Sequence, residues 1–101
     1  MTIEKNVCED VLVLRLIGRL DTTTAPQLEA ELKKSISGVK KLVFDFMELE
    51  YLSSAGLRVL LAAQKVMNKQ GEMIVKDVND TIMEIFEVTG FADILTIEKT
   101  R

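Results

Sequence analysis

Apolar residues recur along this chain with two periods, and the switches between those periods mark out strands and helices. Val11 to Ile17 (VLVLRLI) is apolar and β-branched enough to form a strand, and the preceding MTIEKNV reads as its hairpin partner, turned at Cys8-Glu9-Asp10. Gly18 ends that pattern. Thr24-Ala25-Pro26-Gln27 then has the T-x-x-Q form of a capping box, with proline in the first turn, where no intrahelical N–H is required. Ala25, Leu28, Leu32 and Ile36 fall on one face, Lys33 and Lys34 lie late, and Gly38 closes an amphipathic helix fit to cover a sheet.

Lys40 to Phe46 (KKLVFDF) is a short apolar run flanked by charge, the form of a central strand buried on both faces. Met47 to Leu52 reads as a loop. A second helix starts at Ser53 or Ser54 and runs to Lys69, with an apolar arc from Leu57 to Met67 wide enough to predict a mostly buried element. Gly71 stops it, and Glu72 to Val78 supplies another strand. Asn79 or Asp80 caps a third helix carrying Ile82, Ile85, Phe86 and Thr89, which Gly90 ends; Ile94 to Ile97 is a last strand or strand-like tail. The order β-β-α-β-α-β-α-β predicts an α/β fold: a mixed, largely parallel sheet of about four to five strands covered by about three to four helices. No linker, repeat or low-complexity stretch interrupts residues 1–101, which read as one domain.

Composition narrows the chemistry. A chain of 101 residues, 48% hydrophobic and 29% charged, has ordinary globular composition, and at this length it can bury roughly two thirds of its unfolded surface. With no histidine and a single cysteine, there is no His-based triad, no His-ligated zinc, no Cys pair for a metal and no internal disulfide. Neither a metal nor a cofactor is expected, and Cys8 reads as a buried or strand-edge filler. The net charge of −3 argues against direct nucleic-acid binding, which calls for a basic stripe. No apolar run approaches the ~20 residues of a membrane span. The start MTIEKNVCED carries acids where a signal peptide is basic and then apolar. A cytoplasmic protein without membrane insertion is expected.

One segment resists a purely structural account: Tyr51-Leu52-Ser53-Ser54-Ala55-Gly56-Leu57, which joins a strand to a buried helix. Strand C-termini in open α/β sheets face a crevice, and the next helix start offers unpaired N–H groups and the positive end of its dipole. Only one of two adjacent serines can be the N-cap, so the other is free to project, and a phosphate there would bring about −1.5 to −2 charges to that end. Gly56 in the first helical turn costs up to about 1 kcal/mol relative to alanine, which points to close approach of another backbone. Catalysis is poorly supported. G-x-S-x-G and both glycine-rich phosphate motifs are absent, no histidine can act as base, and Lys65 and Lys69 lie turns away from the serines.

Three runs in order, Gly18-Arg19-Leu20-Asp21-Thr22, Leu42-Val43-Phe44-Asp45-Phe46 and Tyr51 to Leu57, resemble the successive signatures of a STAS domain. The match covers nearly the whole chain and is similar to the small stand-alone anti-sigma factor antagonists. The resemblance implies a protein without activity of its own, controlled by an anti-sigma factor that is also a serine kinase and reset by a serine phosphatase. It implies phosphorylation at Ser54, with Ser53 as secondary acceptor, and that only the unphosphorylated form binds the anti-sigma factor and releases the sigma factor. Asp21, Thr22, Ser53, Ala55, Gly56, Leu57 and Arg58 are the implied partner surface, with Asp21 and Asp45 as acidic positions near the serine. Leu57 reads equally as core. The family often has an acidic residue where this chain has Ser53, which bears on kinase recognition. The alternative is a STAS subunit or scaffold of a lipid-transport ATPase or stressosome-like complex; in either case a monomer or weak dimer is expected.

Overall fold

The structure, a computed structural model, describes residues 1–100. Its strands are β1 (Thr2–Cys8), β2 (Val11–Leu20), β3 (Lys41–Asp45), β4 (Leu49–Leu52), β5 (Glu72–Lys76) and β6 (Thr96–Glu98). Its helices are α1 (Ala25–Ser35), α2 (Ser54–Gln70) and α3 (Asp80–Thr89), with a 3-10 turn at Phe91–Asp93. The sheet runs β1-β2-β3-β5-β6, and β4 pairs with β2 off that path. Only β1 and β2 are antiparallel; β2–β3, β3–β5, β5–β6 and β2–β4 are parallel. Each parallel neighbour on the main path is reached through a helix, as parallel pairing requires.

Strand parity places the core. Leu12, Leu14 and Leu16 of β2, Leu42 and Phe44 of β3, and Met73 and Val75 of β5 alternate onto one face, where they pack with Leu28 and Leu32 of α1, Leu60, Ala63 and Met67 of α2, and Ile82 and Phe86 of α3. Burying each such side chain contributes about 1.5–3 kcal/mol. The other face is only partly covered, so β3 is not buried on both sides as its apolar run predicts: its pattern alternates between buried and half-buried. Register lines up Glu4, Arg15, Asp45, Lys76 and Glu98 across that face, with signs alternating strand by strand. Arg15 reaches Glu4 at 3.5 Å and Lys76 reaches Asp45 at 4.0 Å. Pairs at or near the surface contribute little each, but they fix register.

The largest departure from the sequence reading lies between residues 47 and 52. Gly18 does not end β2. At φ +105° it sits in a backbone region that favours glycine; β2 pairs with β3 as far as Arg15 and with β4 from Gly18 to Leu20, with a bulge in that second ladder between Gly18 and Arg19. The predicted loop therefore contains a strand whose Leu49 and Leu52 are buried and whose Glu50 and Tyr51 face out. The hairpin turn falls at Glu9-Asp10, with Glu9 at φ +56°, and Cys8 is exposed on the edge strand. The last strand starts at Thr96, two residues later than expected, because Phe91–Asp93 forms the 3-10 turn first. Buried Asp77, at φ +60°, holds the chain end: its carboxylate accepts from the Thr100 amide at 2.8 Å and hydroxyl at 2.7 Å.

Candidate functional site

Two helix starts come together where β2 and β4 end. The amide of Ser53 donates to the carbonyl of Leu20 at 2.9 Å, lacing the entry to α2 against the exit from β2. Ser53 is the N-cap of α2, with extended backbone at φ −95° and ψ 174°. Its hydroxyl oxygen accepts from the Gly56 amide at 3.5 Å, the long end of such a bond. Ser54 is the first residue of the helix. Its side chain is exposed, and among the described residues nothing hydrogen-bonds its hydroxyl.

Gly56 is fixed by close approach, of side chains rather than of another backbone. A Cβ built there would lie 2.7 Å from both Leu20 Cγ and Leu52 Cδ1. Leu20 and Leu52 are fully buried and can give way only by repacking, so the missing side chain lets the first turn of α2 rest on the ends of β2 and β4.

The start of α1 is closed by a different device. The T-x-x-Q sequence does not form a capping box: Thr24 has helical backbone and makes no side-chain cap bond, and Gln27 donates to the Met1 carbonyl instead. Asp21 takes over. Its carboxylate accepts from the Thr23 hydroxyl at 2.7 Å and from the amides of Thr23 at 3.0 Å and Thr24 at 3.2 Å. The Thr23 hydroxyl, helped by those amides, holds the Asp21 carboxyl below its usual range. The Thr24 hydroxyl accepts from the Asp21 amide at 2.8 Å and donates to the Arg19 carbonyl at 2.8 Å.

Thr22, Ala55 and Arg58 are brought together in an open groove between the first halves of α1 and α2, which Ala25, Pro26, Glu29 and Val59 complete. Asp21 and Ser53 stand beside it through the Leu20–Ser53 bond. Two expected site residues are placed elsewhere. Leu57 is 7% exposed and belongs to the core, whereas Val66, which the wide apolar arc would bury, is 40% exposed. Helix geometry explains the exchange: Leu57, Leu60 and Met67 share the sheet-facing side, and Val66 lines the α1–α2 groove. Asp45 does not join the serine. It alternates with Leu42, Phe44 and Phe46, so its carboxylate lies on the open sheet face with Lys76, accepting from the Met47 amide at 3.0 Å.

The site also has a pair that the sequence reading passes over. Arg19 stacks over the Tyr51 ring at 4.5 Å, a contact made by the β2–β4 register, and its Nε lies 3.8 Å from Asp21. No sequence signal marks it, because it depends on β4 being a strand. Among the described residues no His, Cys, Asp or Glu cluster could hold a metal, and no helix is long and apolar enough to cross a membrane.

The STAS domain model matches residues 2–101, and the chain belongs to the STAS domain family. BtrV of Bordetella bronchiseptica, named as a candidate anti-sigma factor antagonist, is 35% identical over 103 residues, spanning 100% of this chain and 89% of its own. The anti-sigma-B factor antagonist of Listeria monocytogenes is 31% identical over 93 residues, spanning 88% and 80%. Within the family, the chain stands among the anti-sigma factor antagonists. Its fold matches SpoIIAA, solved as an anti-sigma factor antagonist in its unphosphorylated form, with TM-score 0.76 at 20% identity over 95% of this chain and 86% of that one. SpoIIAA in its phosphorylated form matches with TM-score 0.75 at 21% identity, over 95% and 90%.

Proposed function

We propose that this protein is an anti-sigma factor antagonist switched by phosphorylation of Ser54. Unphosphorylated, it binds an anti-sigma factor and releases the sigma factor. A kinase activity of that partner transfers the γ-phosphoryl group of ATP to Ser54 Oγ. The new Oγ–P bond replaces the bond to the β-phosphate oxygen, ADP leaves, and the hydroxyl proton passes to the kinase's base. The antagonist is thus the substrate of an enzyme, and a serine phosphatase resets it in the cytoplasm.

The observation that carries this reading is the division of labour between the two serines. Ser53 caps the helix, which leaves the adjacent Ser54 hydroxyl exposed at the helix start. A phosphate there gains from the helix dipole. The switch needs such a group to stand where docking must desolvate it, and the groove lined by Thr22, Ala55 and Arg58 opens at the same start of α2. A doubly charged group unpaired in a contact surface opposes docking by several kcal/mol. SpoIIAA, whose fold this chain shares, exists in both phosphorylated and unphosphorylated forms.

Incubation with the cognate anti-sigma factor and ATP, followed by mass spectrometry, tests the site. Wild type gains one phosphate and Ser54→Ala gains none. Equal labelling of Ser54→Ala moves the acceptor to another residue, Ser53 first, and overturns the assignment. Unchanged partner binding by Ser54→Asp contradicts the switch and favours a scaffold.

A further inference from the structure

Resting on that reading of Ser54, we infer that Arg58 is the intramolecular receptor of the Ser54 phosphate, so that phosphorylation withdraws a cation from the docking groove as well as adding charge to it. Ser54 opens α2 and Arg58 follows it by four residues, so the two side chains stand one above the other on the same helix face. Both are exposed, and Arg58 has no ion-pair partner among the described residues. The order is the favourable one, with the anion toward the helix N-terminus and the cation one turn later. Guanidinium offers a planar fork of N–H donors that matches phosphate oxygens in pairs.

Competition for Arg58 is weak. The one carboxylate lining the same groove is Glu29 of α1, and Lys33 already holds it at 3.6 Å. Arg19, at the end of β2, is turned onto Tyr51 and Asp21. In the unphosphorylated chain Arg58 is therefore free to meet an acidic group of a partner, and in the phosphorylated chain it is engaged within its own helix. α2 contains no acidic residue, so no carboxylate of its own can take the phosphate's place.

The test uses the full chain with phosphoserine installed at position 54 during translation, which makes it independent of any kinase. Phosphorus NMR follows the second phosphate ionisation, which for an unperturbed phosphoserine lies near about 6. Wild type is expected to titrate about 0.5 unit below Arg58→Gln, with Arg58→Lys between them. Arg58 is exposed, and unchanged far-ultraviolet circular dichroism of the variants checks that the helix is intact. Equal titration in wild type and Arg58→Gln overturns the inference, whatever Ser54 does in a cell. A clear shift in a phosphorylated chain that still binds its anti-sigma factor fully would keep the Arg58 contact and refute the switch.

Discussion

Helices α1 and α2 begin side by side at the ends of neighbouring strands, yet one start is saturated and the other is open. At α1 the Asp21 carboxylate, its own amide and the hydroxyls of Thr23 and Thr24 bond one another and the Arg19 carbonyl, closing the turn from residue 19 to residue 24. At α2 a single long cap bond from Ser53 stands beside an uncommitted Ser54 hydroxyl. The contrast teaches where stability and function part. The side chains of Asp21, Thr23 and Thr24 are committed to their own turn, whereas an under-used helix start beneath an exposed hydroxyl can change charge without undoing the fold.

Substitutions around the two starts should separate these roles in graded order. Leu57→Ala has the largest expected effect, about 2–4 kcal/mol lost in urea denaturation, because it opens a cavity in the core to which Leu57 belongs. A cost below about 0.5 kcal/mol would return Leu57 to the partner surface. Gly56→Ala comes next, at about 1–3 kcal/mol, since its methyl must displace Leu20 or Leu52. A neutral or stabilising result, as helix propensity alone would give, contradicts the close approach.

Much of this was readable in advance, and most of the failures share a cause. The hairpin, the three helices, the start of α3 at Asn79 or Asp80, of which Asn79 is the cap, and the parallel order follow from local period and capping chemistry. Strand β4 was not readable, because its buried residues Leu49 and Leu52 are three apart, a helical interval, and it becomes a strand only by pairing with the end of β2 from Gly18 to Leu20. The same long-range pairing hides the Arg19–Tyr51 contact. Leu57 is placed by which side of α2 meets the sheet, and an arc apolar most of the way round does not announce that side. Asp45 is different: strict alternation with Leu42, Phe44 and Phe46 already assigns it to the opposite face, a signal that parity alone supplies.

Smaller effects sharpen the comparison. At the saturated start, hydrogen bonding holds Asp21 below its ordinary value of 3.8 in the folded protein. Its carboxylate therefore contributes stability above that unfolded value, and the contribution is lost as pH falls through the depressed folded value. Denaturation midpoints measured downward from about pH 5 should fall less steeply in Asp21→Asn than in wild type; parallel curves would mean that the carboxylate makes no special bonds. At the open start, Ser53→Ala should cost about 0.5 kcal/mol, the low end for an N-cap, given its long bond. Ser54→Ala should change stability by less than about 0.5 kcal/mol in the same assay, as exposed substitutions do. If Ser54→Ala costs more than Ser53→Ala, the assignment of cap and free hydroxyl is reversed.

The most direct measurement is calorimetric titration of the cognate anti-sigma factor with two forms of the full chain, unmodified and carrying phosphoserine at position 54. A phosphate that must be desolvated in the interface predicts at least about a hundredfold weaker binding by the phosphorylated form. Equal affinities would contradict the switch at Ser54.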